Sequence, residues 1–229
     1  MTAAVSVSAL RFMWPGGHTP LLEIPHWEVP AGGRVLVLGP SGSGKSTLLS
    51  LLAGVRVSPQ GQVAVMGRDW AALPAGRRDA WRADHVGYVF QQFNLLPYLS
   101  TLDNVVLPCR FSALRAGRAG DAMAAARQLL DAFGLHEGLW RQRADQLSVG
   151  QQQRVAAARA LIGGPGLLIA DEPTSALDDD TRDQYMRVLL EACDQAAAAL
   201  VFVSHDRRLR THFDRVCHVD QGRWLEEGA

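Results

Sequence analysis

The residues with the clearest chemical capacity are Gly39-Pro40-Ser41-Gly42-Ser43-Gly44-Lys45-Ser46, a complete G-x-x-x-x-G-K-[ST] spacing. Glycines spaced this way let the backbone curl until successive N–H groups point inward at phosphate oxygens. Lys45 can then reach the β- and γ-phosphates of a nucleotide, and the Ser46 hydroxyl can ligate Mg²⁺. A helix opening at Thr47 adds the positive end of its dipole to the same anion site. Residues Gly39 to Thr47 are therefore the nucleotide-binding candidates, and the ligand they imply is a nucleoside triphosphate.

Two further groups carry chemistry. Leu167-Leu168-Ile169-Ala170-Asp171-Glu172 reads as a buried strand delivering two carboxylates at its C-terminal end, where open α/β sheets place their ligands. Asp171 is the natural partner for Mg²⁺, and Glu172 is placed to polarise an attacking water. Leu147-Ser148-Val149-Gly150-Gln151 opens a helix that runs through Ala156, Ala157 and Ala160. Ser148 can cap that helix and Gly150 permits a ligand to approach closely, which makes a second phosphate-type receptor.

The elements that must position these groups follow from the apolar pattern. Arg34 to Leu38 reads as the strand before the phosphate loop, and Thr47 to Ala53 as the helix after it, ended by Gly54. Upstream, Val5 to Phe12 and Trp27 to Pro30 flank a turn rich in Pro15, Gly16 and Gly17 and read as short antiparallel strands. Val5, Val7 and Ala9 alternate with Ser6 and Ser8, the pattern of a half-buried strand with those three inward. Gln62 to Met66 is a further strand, and Val86 to Phe90 runs as another straight into Gln91. From Phe93 the character changes to loops and Ala/Leu-rich helices, of which Asp121 to Phe133, stopped by Gly134, is the clearest. The α/β pattern resumes with a helix to Ile162, the strand at Leu167, a helix over Thr181 to Cys193, and the strand Leu200 to Val203. A hairpin around Gln221-Gly222 ends the chain. The predicted fold class is α/β: a P-loop NTPase (RecA-like) core with a parallel sheet and right-handed crossovers, an N-terminal antiparallel β layer, and an inserted α-helical subdomain. The helical insertion is placed at 93–154, with 1–92 and 155–229 forming one catalytic core and β layer.

Composition narrows the partners. A 229-residue chain that is 48% hydrophobic and 20% charged is an ordinary globular protein. With 23 basic and 23 acidic residues, no net field favours nucleic acid or an anionic lipid surface. Cys109, Cys193 and Cys217 are scattered beside apolar or helical sequence and read as buried, reduced thiols in a cytosolic protein. No apolar run is long enough to cross a bilayer, and the N-terminus lacks a secretory signal. Any work at a membrane must use a membrane part supplied by another chain.

Taken together, these motifs in this order resemble the nucleotide-binding subunit of an ABC transporter, along essentially the whole chain. In the resemblance, Gly39 to Ser46 is Walker A and Gln91 the Q-loop glutamine. Leu147 to Gln151 matches the signature, Asp171-Glu172 Walker B, Ser175-Ala176-Leu177-Asp178 the D-loop, and Ser204-His205-Asp206 the switch histidine. The resemblance implies ATP and Mg²⁺ as ligands and a head-to-tail dimer with two ATP between two copies of the chain. Each ATP would lie on Lys45 of one copy and under Ser148, Gly150 and Gln151 of the other, with Asp178 beside it. Gln91 would sense Mg²⁺ and the attacking water, so Glu172, His205 and Gln91 are the catalytic candidates and Ser46, Gln91 and Asp171 the metal candidates. Trp14 stands where the family has an aromatic stacking on adenine; the alternative is a turn aromatic covering the β layer. Val149 stands where the signature usually has a glycine, so a side chain must fit there without blocking phosphate.

Arg77-Arg78 through Arg82, His85 to Gln91, and Asn94-Leu95-Leu96-Pro97 resemble the branch serving lipoprotein release, macrolide efflux and cell division. That implies an integral membrane permease as partner, a peripheral place on the cytoplasmic face of the inner or plasma membrane, and export or mechanical extraction. Phe93 to Leu99 is either the docking groove for that partner or packing of the helical subdomain. A soluble ABC ATPase acting on nucleic acid or ribosomes would show tandem domains, coiled-coil insertions or basic extensions, and this chain shows none of these. A silent nucleotide sensor would not keep both Glu172 and His205.

Overall fold

The computed structural model describes residues 3–175, 177–220 and 222–227. In chain order its first elements are β1 (Ala3–Phe12), β2 (Leu22–Pro30), β3 (Arg34–Leu38), α1 (Lys45–Leu52), β4 (Val63–Val65), β5 (Arg68–Asp69), α2 (Ala75–His85) and β6 (Val86–Val89). A helical run follows, with α3 (Thr101–Phe111), α4 (Ala113–Ala119), α5 (Ala122–Ala132), α6 (Glu137–Trp140) and α7 (Val149–Leu161). The last elements are β7 (Leu167–Asp171), α8 (Asp179–Gln195), β8 (Ala199–Ser204), β9 (Arg215–Asp220) and β10 (Arg223–Glu226). Ala176 of the expected D-loop and Gln221 of the expected C-terminal turn lie outside the described residues.

The chain divides into two compact units: one runs to Arg82 and resumes at Ala199, and the other covers Ala83–Ala198. In the first unit the strands follow the order β5-β4-β1-β2-β10-β9-β3-β8. β1 pairs antiparallel with β2 and β4, while β3 lies parallel to both β8 and β9. The antiparallel layer and the parallel strands are therefore joined edge to edge, through a single parallel pairing of Arg223 with Glu23. Every residue of β8 and all of β3 after Arg34 is buried, which is why both read as unbroken apolar runs.

The alternation in β1 departs from expectation. Val5 and Val7 are buried, but Ala9 is exposed and takes φ 47°, and Leu10 holds the inner position instead. A residue in the left-handed region turns the chain off the two-residue period, and alternation alone cannot reveal that.

Helix α1 is fixed at its far end. Gly54 takes φ 63°, and Trp70 lies so close that any Cβ there would sit 2.6 Å from the indole. The Trp70 Nε1–H donates to the Leu52 carbonyl, and Arg82 donates to the carbonyls of Ala53 and Gly54. The carbonyls at the C-terminal end of the helix are thus satisfied by an indole and a guanidinium, the charge its dipole favours there.

In the second unit β6 and β7 pair in parallel, and α3, α5 and α7 pack together. Helix α5 starts on Asp121, whose carboxylate accepts from the amides of Met123 and Ala124, and ends before Gly134 at φ 70°. Helix α7 is buried along almost all of its second half. Arg115 closes its end: only 3% exposed, it donates to the carbonyls of Ala160 and Ile162. Burial pulls this guanidinium down to about 10, still charged at neutral pH. Cys193 and Cys217 are buried as expected, whereas Cys109 is only half-buried because it lies near the exposed end of α3.

Candidate functional site

The first unit builds the phosphate loop. Strand β3 delivers Gly39 beside the Val219 carbonyl and the Ser43 hydroxyl; a Cβ at Gly39 would strike the former and lie 2.7 Å from the latter. Gly44 takes φ 102° and precedes α1 without any side-chain cap, so the first-turn amides of α1 are left for an anion. Lys45 is 7% exposed and its Nζ donates to the carbonyls of Gly39 and Pro40, both at 2.8 Å. The ammonium is thereby folded along the inside of the loop. The Ser43 hydroxyl is buried without a hydrogen-bond partner, a polar group that fits a phosphate oxygen. Ser46 is exposed and Thr47 half-buried, with Pro40, Ser41 and Gly42 on the exposed rim.

His205 is exposed at the end of β8 and lines a cleft of about 460 Å³ with Gly39, Pro40, Arg207, His218 and Asp220. The structure thus brings His205 to the start of the phosphate loop. The buried Ser204 hydroxyl accepts from the Asp206 amide, which holds the turn carrying His205. Trp14 is exposed, with the Phe12 ring set edge-on at 5.6 Å and the Arg56 guanidinium 4.0 Å from the indole centroid. It is therefore a surface aromatic already stacked on a cation.

The second unit carries the other candidates. Gln91 is exposed in the turn that follows β6. Asp171 ends β7 and Glu172 follows it at φ 46°, both half-buried. A glutamate held in the left-handed region is strained, a condition that concentrates at active sites. Burial, and after it the charge of Asp171, raises the Tyr88 hydroxyl above its ordinary range; in the parallel pairing of β6 and β7 Tyr88 lies opposite Ile169, two residues before Asp171.

Ser148 caps α7 by accepting from the Gln151 amide, and the Gln151 side chain accepts from the Ser148 amide. Gln151, expected to touch nucleotide, is thus engaged in its own helix start. Val149 is 54% exposed, so its side chain finds room in solvent, while Gly150 beside it is half-buried with the Leu177 side chain 3.7 Å from where a Cβ would stand. Asp178 likewise caps α8, accepting from the amide and hydroxyl of Thr181 at 2.9 Å, and these bonds hold its carboxyl below the usual range. Among the described residues no three His, Cys, Asp or Glu groups cluster as a metal site. Mg²⁺ needs no such cluster where substrate phosphates share the ligation.

The model of the ABC transporter family matches residues 22–175, which span the phosphate loop, Gln91, the signature and Walker B. The chain belongs to the ABC transporter ATP-binding family. This ABC ATPase is 40% identical to the lipoprotein-releasing system ATP-binding protein LolD of Anaeromyxobacter dehalogenans, across 99% of this chain and 95% of that one. It is 38% identical to an uncharacterized ABC transporter ATP-binding protein of Mycobacterium tuberculosis, across 96% and 88% of the two chains. It superposes on the cassette MJ0796, solved as a post-hydrolysis dimer bound to ADP and Pi, with a TM-score of 0.86 and 32% identity over 98% of this chain and 99% of that one. As an ABC ATPase it binds and hydrolyses ATP.

Three polar residues escaped the sequence reading. Arg115, Arg159 and Asn104 are all buried; Arg159 and Asn104 bind main-chain carbonyls of loops, and Arg115 those at the end of α7. One signal was available: Arg159 is a charge inside the apolar run Ala156 to Leu161, and a charge in a buried helix face requires partners.

Proposed function

We propose that the chain hydrolyses Mg-ATP in a head-to-tail dimer of two copies and drives a separate membrane permease. The observation that carries this reading is the loop before α1: uncapped amides, a buried unpaired Ser43 hydroxyl and Lys45 folded along it, a receptor for polyphosphate. In this reading Gly39 to Thr47 hold the phosphates and Trp14 stacks on the base. Ser148, Gly150 and Gln151 of the other copy close over the γ-phosphate, with Asp178 beside them. Glu172 polarises the water that attacks the γ-phosphorus and takes its proton; the bond to the β-phosphate oxygen breaks, releasing ADP and phosphate. His205 contacts the transferred group and Gln91 orients the water. Mg²⁺ supplies charge neutralisation across the phosphates, and Ser46, Gln91 and Asp171 would hold it.

The helical segment 93–154 is read as a subdomain whose Phe93 to Leu99 stretch receives the permease on the cytoplasmic face. Tyr98, 65% exposed, and the exposed Phe90 support docking there. No described helix is long and apolar enough to cross a membrane. The names of the lipoprotein-releasing relatives favour export or extraction. Purified protein, reconstituted with the membrane protein that copurifies with it, should release phosphate from ATP only with Mg²⁺. Equal turnover in excess chelator would overturn the metal assignments, and no turnover at all would overturn the mechanism.

A further inference from the structure

The turn after Gln91 is built in an unusual way. Phe93 and Asn94 both lie in the left-handed region, at φ 59° and 48°. An asparagine tolerates that conformation but a phenylalanine does not, and two in succession persist only where the surroundings hold them. Within the turn the Phe93 amide donates to the Phe90 carbonyl and the Asn94 amide to that of Gln92. The chain therefore reverses directly behind Gln91.

What holds the turn comes from another helix. The Arg159 guanidinium donates through one nitrogen to the Phe93 carbonyl at 2.6 Å and through the other to the Asn94 carbonyl at 2.7 Å. Arg159 lies on α7 and is only 9% exposed. A planar fork with two donors in fixed geometry suits two adjacent carbonyls in a way that a single ammonium does not. Past the turn, the fully buried Asn104 side chain accepts from the Leu96 amide and donates to the carbonyls of Leu96 and Ser100, which fixes the segment that follows.

We infer that Arg159 is a positioning residue for ATP hydrolysis: its fork holds the left-handed Phe93–Asn94 turn and thereby sets where Gln91 stands. The inference rests on the proposed placing of Gln91 at the nucleotide. It also gives α7 two roles, since the helix that starts at Ser148 holds the segment after Gln91 further along its length.

The test uses the full chain and three variants. Arg159→Lys keeps the charge but loses the fork. Asn94→Val leaves Arg159 intact and makes the left-handed turn costly from the other side. The double variant Arg159→Lys, Asn94→Gly removes the fork but also relieves the strain. Arg159→Lys should still unfold cooperatively and bind a fluorescent ATP analogue within about twofold of the parent, a uniform-binding result. Its kcat should fall about tenfold to a hundredfold, the range for a misplaced positioning group. Limited chymotrypsin cleavage after Phe93 should speed up about threefold or more, as the turn opens locally. Asn94→Val should show the same loss of kcat and the same faster cleavage. The double variant should recover most of both, a rescue that a merely structural role for Arg159 would not give. Parent-like cleavage and kcat in Arg159→Lys, or a double variant as slow as the single one, overturns the inference. Faster cleavage with unchanged kcat overturns the positioning role; a Gln91→Ala control at parent kcat then assigns the failure to the placing of Gln91 and not to the fork.

Discussion

At the scale of single residues, the proposed mechanism divides binding and chemistry between two side chains. Lys45 is aimed along the inside of the phosphate loop by the Gly39 and Pro40 carbonyls. Lys45→Ala should weaken ATP binding itself, by about tenfold or more, since it removes a charge from the phosphates. Equilibrium titration with an ATP analogue checks it, and unchanged affinity would contradict it. Glu172 stands in a strained conformation at the end of a fully buried run. Glu172→Gln should keep ATP binding and slow hydrolysis by roughly 100-fold or more, the scale for losing a general base. Hydrolysis at the parent rate would show that another group activates the water. Residues such as Lys45 were legible in the sequence because the loop that aims them is contiguous with them. Arg159 and Arg115 were not, because their partners are carbonyls at Phe93, Asn94, Ala160 and Ile162, and no side-chain pattern records where a carbonyl points.

At the scale of elements, the strands and longer helices were readable wherever periodicity and caps agreed. β3, β8 and α5 fall within a residue or two of their expected bounds, with Gly134 and Asp121 in their expected places. Ala9 was misplaced because a single positive φ shifts a two-residue period. For the region from α3 to α4 the sequence predicts loops and helices without bounds, since Pro108 and Ser112 blur the periodicity there. Helix α7 offers the clearest energetic test of an element. Arg115→Met would leave the buried Ala160 and Ile162 carbonyls without this donor and should cost about 1–3 kcal/mol. Urea unfolding at constant m-value reads this directly, and a change under about 0.5 kcal/mol would mean that water replaces the guanidinium. The segment after the Phe93–Asn94 turn belongs to the same scale. A charged residue at half-buried Leu95 or exposed Tyr98 should release the permease while ATP affinity survives, because Lys45 lies on a different element. Full recovery of the complex in a detergent pull-down would exclude those side chains as contacts, and loss of folding would assign them to packing.

At the scale of the whole molecule, the proposed function gives the chain two phosphate receptors of different build. One is the open loop before α1; the other is the capped start of α7, where half-buried Gly150 follows exposed Val149. Balanced charge, 23 basic against 23 acidic residues, opposes no self-association. ATP bridging the two receptors across two copies would make dimerisation a ligand-linked equilibrium. The most direct measurement is the mass of the Glu172→Gln protein by light scattering, with and without saturating Mg-ATP. The predicted result is a monomer without nucleotide and a dimer with it, and the shift should vanish when Ser148→Arg is added. A protein that stays monomeric under saturating ATP, with its membrane partner also supplied, would contradict the shared-site account.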